Sequence, residues 1–302
     1  MADSVDDNLS GTEQFNGRCF VDIHNHCLPG VDDGPETLSQ SLALCRQLVD
    51  DGVTTVIATP HQLGRYSECN DAEQIRGAVA EFNEKLKDNG IVLTVVPGAD
   101  VRIDERICEL LEADKILTLA DGHRYLLLEL PHEIFIDIEP LLVELSSSGV
   151  QVVVSHPERH HILAQRPELL QRWSGRSACF QVTAGSLLGD FGRMAQKAAW
   201  YFLRTGLSLL VATDSHNLEN RRPCLRDAFE RISVKLGARV ARLVCIENPL
   251  RVLKGQDITT EPYLVDSQGS HIGFESPEVN GEMSTPTVGS VNTRGRSGSG
   301  KK

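Results

Sequence analysis

Short β-branched apolar runs alternate with longer amphipathic stretches along most of this chain, and that alternation limits its fold more than any other feature. Strands are expected at 18–24 (RCFVDIH), 54–61 (TTVIATPH), 91–100 (IVLTVVPGAD), 125–130, 150–156, 178–183 and 207–216. Helical periodicity fills the intervals at 37–52, 71–89, 104–114, 138–148, 166–173, 190–205 and 221–236. In the first of these, Leu38, Leu42, Cys45, Leu48 and Val49 make one stripe that ends at Gly52. Strands alternating with helices imply βα units and a parallel sheet. Seven strands over about 250 residues favour a closed α/β barrel over an open sheet. No internal repeat is evident.

Composition narrows the function. The 302 residues carry a formal net charge of -12, which argues against a nucleic-acid binder dependent on clustered Lys and Arg. The start, MADSVDDNLSGTEQFNGR, has neither a basic nor an apolar segment of the secretory kind. No apolar run approaches the ~20 residues a membrane-spanning helix needs, so a cytoplasmic protein without membrane insertion is expected. Eight scattered cysteines without a C-x-x-C pair read as reduced thiols. Cys245 and Arg251 match the C-x5-R spacing of cysteine-dependent phosphatases. Pro249 lacks an N–H, Glu247 is anionic and the loop has no glycine, so no phosphate cradle is expected there. Residues 1–18 form a polar acidic start and 255–302 a tail rich in Ser, Thr, Gly and Pro, both expected to be disordered. A single domain is expected over 19–254.

The polar residues that follow the strands carry the chemistry. His24 and His26 close the first strand, where i and i+2 share a face. His61, Asp100 and His156 follow the next strands, with Arg159 just beyond, and Asp214 and His216 follow the last. In parallel βα folds the C-terminal strand ends converge on one crevice. A mixed set of imidazoles and carboxylates suits Mn, Fe, Zn or Co. Seven or eight donors exceed the four that one zinc needs, so two or three ions are expected. Asp32 and Asp33 in VDDGP also make good turn chemistry, and Asp33 is the more functional of the two. His123, His132, His160, His161 and His271 lack the strand-end setting and are not expected to be ligands.

Together DIHNHCLPGVDDGP, ATPHQLGRY, VVPGADVRI, VVVSHPERH and ATDSHNLENRRP resemble the manganese-dependent bacterial protein-tyrosine phosphatases of the polymerase-and-histidinol-phosphatase (PHP) superfamily. The likeness spans about residues 19–254, and IENPLRVL resembles the family's C-terminal end. The resemblance implies a distorted seven-stranded (β/α) barrel with a trinuclear Mn2+ centre held by His24, His26, His61, Asp100, His156, Asp214 and His216. It further implies that Arg159 binds the substrate phosphate. Two positions depart from the family pattern: Asp100 stands where Glu is usual, and His160 where Tyr is common.

The implied reaction is hydrolysis of phosphotyrosine by metal-activated water. Asp33 is left with three roles: to position the water, to hold a metal, or to protonate the leaving oxygen. No nucleophilic cysteine is required, so activity should survive thiol alkylation and be lost to a chelator. The resemblance also implies a partner, the C-terminal tail of a bacterial tyrosine autokinase that controls capsule or exopolysaccharide export, and is compatible with a homo-oligomer. Two alternatives are a histidinol-phosphatase-like enzyme for small phosphomonoesters and a catalytically weak, kinase-binding barrel.

Overall fold

A computed structural model describes residues 20–66 and 69–260. Its strands are β1 (Phe20–Asn25), β2 (Val53–Ala58), β3 (His61–Gln62), β4 (Thr94–Pro97), β5 (Asp100–Arg102), β6 (Tyr125–Glu129), β7 (Gln151–Ser155), β8 (Cys179–Thr183) and β9 (Leu210–Ala212). Every strand pairing is parallel. The strands form one sheet in the order β1-β2-β4 and a second in the order β3-β5-β6-β7-β8-β9.

Among the described residues nine strands stand in place of the seven expected, because two of the expected ones break and cross between the sheets. The 54–61 run stops at Thr59–Pro60, where Pro60 has no N–H to give a ladder. The 91–100 run is interrupted at Gly98, where the backbone passes so close to β2 that a Cβ would sit 2.6 Å from the Ile57 side chain. The breaks carry His61 and Asp100 out of the first sheet and pair them directly as β3 and β5 in the second. The opposite edges of the two sheets meet at a parallel bridge between Asn25 and Ser215. Asp22 ties that seam, accepting from the Thr213 N–H (2.9 Å), the Thr213 hydroxyl (2.5 Å) and the Asn25 amide (2.9 Å).

Alternation along the strands separates two apolar clusters. Val21, Ile23, Tyr125, Leu127 and Val153 face one another, while Leu126, Leu128, Val152 and Val154 face the helices. The helices are α1 (Leu38–Asp51), α2 (Ala72–Asp88), α3 (Ile107–Glu112), α4 (Glu139–Ser147), α5 (Pro167–Ser174), α6 (Ala184–Leu188), α7 (Gly192–Arg204), α8 (Leu225–Leu236), α9 (Ala238–Arg242) and α10 (Asn248–Leu253). Thr37 with Gln40, and Asp71 with Gln74, form capping boxes that fix where α1 and α2 begin. Cys245 belongs to the outer cluster and Leu250 packs against the inner one, so the CIENPLR stretch is structural. Cys245 is fully buried in a π-turn between α9 and α10, and burial pushes its thiol pKa up. Arg251 donates to the Asp257 carbonyl, and no anion cradle forms.

The packed region continues past Lys254, the boundary expected from sequence. The Tyr125 hydroxyl donates to the Gln256 carbonyl (2.8 Å) and the Thr259 N–H to Asn248 (2.9 Å). Residues 255–260 therefore belong to the fold, while 1–19 and 261–302, including His271 and the expected disorder, lie outside the described residues. Among the described residues no helix is long and apolar enough to cross a membrane.

Candidate metal centre

The parallel arrangement delivers polar side chains from the C-terminal ends of several strands to one place. His24 lies in β1 and His26 just beyond it, His61 and Asp100 come after the breaks that end β2 and β4, His156 follows β7, and Asp214 and His216 lie beyond β9. His156 and Asp214 sit at left-handed φ values of 34° and 54°, strained for non-glycine residues, just where their strands end. The Nε2 atoms of His24 and His26 lie 3.3 Å apart. Asp214 Oδ1 is 3.3 Å from the first and 3.5 Å from the second. Asp100 Oδ2 stands 3.6 Å from His24 Nε2 and 3.5 Å from His61 Nδ1. All seven expected strand-end residues are thus brought together.

Asp33 joins them. Its Oδ1 is 3.3 Å from both His61 Nε2 and His216 Nε2, so it sits between two imidazoles at the open edge of the cluster. Asp32, ranked lower from sequence, holds two of these residues in place: its Oδ2 is 2.6 Å from His26 Nδ1 and accepts the His61 N–H at 3.0 Å. The Gln181 side-chain Oε1 is 2.9 Å from His24 Nδ1 in the same way. With their Nδ1 atoms engaged, His24 and His26 present Nε2 to the centre.

Several groups that the sequence left unnoticed also converge here. Glu129, the last residue of β6, has a carboxylate oxygen 3.8 Å from His61 Nδ1. Its signal was a single acid closing the buried apolar run YLLLE. Arg221 Nη2 lies 2.5 Å from Asp214 Oδ1, and Arg159 pairs with the other oxygen of the same carboxylate. His160 is buried and structural: its Nδ1 accepts the N–H groups of Ile162 and Leu163. His161 is exposed, and His123 occupies the turn that leads into β6, at the opposite strand end from Glu129.

The donor chemistry fits divalent ions. Both oxygens of Asp100 and His216 Nε2 are buried without a hydrogen-bond partner, which is costly for polar atoms unless something else satisfies them. Burial lowers the His24 pKa to about 4 and takes His26 and His156 well below their ordinary value, leaving neutral imidazoles. Burial also opposes charge on His61, but Asp33, Asp100 and Glu129 outweigh it and raise its pKa to about 9. Asp214 is held well below the carboxylate range against the effect of burial, by His24, Arg221 and Arg159. Asp100 goes the other way, pushed up by burial and by Glu129. Four-donor and three-donor groups within ligand span include His26, Asp33, His61 and His216; His24, Asp100 and His156; and His24, His26 and Asp214.

Solvent reaches the cluster through a cavity of about 410 Å³ whose walls include Asp33, His61, Leu63, Tyr66, Arg102 and Glu129. The Tyr66 ring stacks on His61 (centroids 5.7 Å apart, planes 15°), and the Arg65 guanidinium lies over Tyr66 at 4.7 Å.

The chain as a whole is similar to known proteins. The family described as capsular polysaccharide synthesis, CpsB/CapC, matches residues 20–254. Tyrosine-protein phosphatase YwqE of Bacillus subtilis is 32% identical over 245 residues, 80% of this chain and 95% of that protein. Tyrosine-protein phosphatase CpsB of Streptococcus pneumoniae is 29% identical over 243 residues, 78% of this chain and 99% of that protein. A solved structure from work on those two proteins, described as unique metal-dependent tyrosine phosphatases, superposes with a TM-score of 0.76 at 30% identity. It covers 84% of this chain and 100% of its own.

Proposed function

This chain belongs to the CpsB/CapC capsular polysaccharide synthesis family, and from that premise we propose that it is a metal-dependent protein-tyrosine phosphatase of the PHP type. The observation that carries the reading is a buried cluster of five histidines and several carboxylates, opening onto a cavity edged by an aromatic ring and arginines. The parallel strands and their two apolar clusters support a distorted barrel, counted as seven strands if β2–β3 and β4–β5 are each taken as one.

The ligands in this reading are His24, His26, His61, Asp100, His156, Asp214 and His216. Glu129 and Asp33 are added on their distances, which gives Asp33 the metal-holding role of the three left open. The donor set suits two or three Mn2+ ions, with Fe, Co or Zn as competitors. Such ions offset phosphate charge and make water a competent nucleophile near neutral pH.

The remaining work falls to the chain's own residues. Arg159 and Arg221 converge on Asp214 from its two oxygens. Their planar forks match two phosphate oxygens and hold the ester in line with the centre. The Arg159 guanidinium lies over the Phe191 ring, 4.6 Å from its centroid. Leu63 and Tyr66 give the phenol ring an apolar wall. The leaving phenolate, of pKa ~10, needs less proton donation than an alkoxide would. We assign the physiological substrate to the phosphotyrosine tail of a bacterial tyrosine autokinase in the cytoplasm.

The test counts transition metals per chain and follows phosphate release from a phosphotyrosine peptide with and without Mn2+. Two or three ions, with Mn-dependent release that Arg159→Ala lowers at least ~100-fold while metal content is kept, is the expected result. Retained metal with release only from small esters such as histidinol phosphate would move the assignment to a small-molecule phosphomonoesterase.

A further inference from the structure

Three residues beyond Glu129, the loop leaving β6 carries His132, and the fold places it against the metal centre. The His161 N–H donates to the His132 carbonyl (3.0 Å), and His160 Nε2 reaches the Ile134 carbonyl (3.2 Å). Since His160 is itself locked by two backbone N–H groups, this loop is pinned to the turn that bears His156 and Arg159. The imidazole of His132 meets that of His156 edge-on, with centroids 5.4 Å apart and planes at 62°.

Two observations make His132 more than a neighbour. Its Nε2 is buried and has no hydrogen-bond partner. In addition, ligand atoms of Glu129, His132 and His156 lie within 4.8 Å of one another. Two imidazoles and one carboxylate on one side of a site form the donor set favoured by Mn2+, Fe2+ and Zn2+. Glu129 is at present paired with Arg102 Nη1 at 2.9 Å, and the Arg102 side chain is 38% exposed, so it is free to release the carboxylate to a cation.

We propose that His132 is a metal ligand, closing with Glu129 and His156 a site for one ion of the centre. The inference rests on the metal-centre reading and adds a ligand supplied by a loop to those supplied by strand ends. It makes occupancy of that ion depend on the pinned loop after β6.

The test titrates chelator-stripped protein with Mn2+ and counts ions per chain by mass spectrometry after desalting. His132→Ala is expected to hold one ion fewer than the parent, with unchanged far-UV circular dichroism, and His132→Asp, which restores an oxygen ligand, to regain it at lower affinity. Should the alanine variant not fold, His132→Phe keeps the ring shape without its nitrogens and is expected to show the same deficit. An unchanged ion count and Mn2+ affinity would overturn the proposal, as would loss of every ion. Unchanged ions with a raised KM for phosphotyrosine peptide would also overturn it, marking His132 as a substrate contact. Ion counting needs no substrate, so a failed phosphatase assignment would show separately, as an intact His132-dependent ion without peptide hydrolysis.

Discussion

Asp100 stands where the resemblance leads one to expect glutamate, and it is the most exposed to test of the single residues. Both its oxygens are buried and lack hydrogen bonds, and its pKa is pushed up by burial and by Glu129. An amide is nearly isosteric with the Asp100 carboxyl. Asp100→Asn should leave thermal stability in excess chelator within ~1 kcal/mol of the parent, because neither form satisfies the site. With Mn2+ present the same variant should lose at least the ~10–100-fold in metal affinity or activity typical of disturbing such ligands' partners. A large loss of stability in chelator would show that Asp100 holds the fold together, and would remove it from the ligand set.

At the scale of elements, the turn between β1 and α1 sets the geometry of the open edge. It runs from His26 to Thr37 and carries Asp32, which holds His26 and the His61 backbone, and Asp33, which faces His61 and His216. Gly34 lets the turn close: a Cβ there would lie 2.3 Å from the His26 carbonyl oxygen, with backbone on the other side of the contact. Gly34→Ala should cost ~1–3 kcal/mol in urea unfolding, as overpacking does, and weaken Mn2+ binding by moving Asp32 and Asp33. Gly77 is the control. It lies inside α2 with nothing within 4 Å of its would-be Cβ, so Gly77→Ala should stabilise by ~0.5–1 kcal/mol and leave Mn2+ affinity unchanged. Equal metal affinity in both variants would show that the turn does not position the centre.

For the whole molecule, the question is how far the fold depends on its ions. The two apolar clusters draw on every strand except β3 and on all the helices from α1 to α10, so the core does not need metal to form. Chelation should abolish phosphatase activity while far-UV circular dichroism stays unchanged. Mn2+ at 100-fold over its Kd should add ~2.7 kcal/mol per site. At roughly 2–4 °C per kcal/mol for a domain of this size, that is a rise of about 5–10 °C in Tm. Unfolding on chelation would mean that the centre, and not the apolar interior, closes the seam between β1 and β9.

The sequence by itself determined the parallel βα plan and the set of candidate ligands. Strand and helix periods are local, and in parallel folds the C-terminal strand ends converge whatever the details of packing. His24, His26, His61, Asp100, His156, Asp214 and His216 could be picked out because each follows an apolar run. Tertiary structure alone decided the rest, because the remaining relations are between residues far apart in the chain. Gln181 orients His24 across 157 positions, and Asp22 ties Thr213 across 191. The break at Gly98, which together with the one at Pro60 pairs His61 with Asp100, follows from the close approach of β2. Glu129, Arg221 and His132 were hidden for the same reason: a charge or ring at the end of one element gains its role only from what other elements bring within a few ångströms of it.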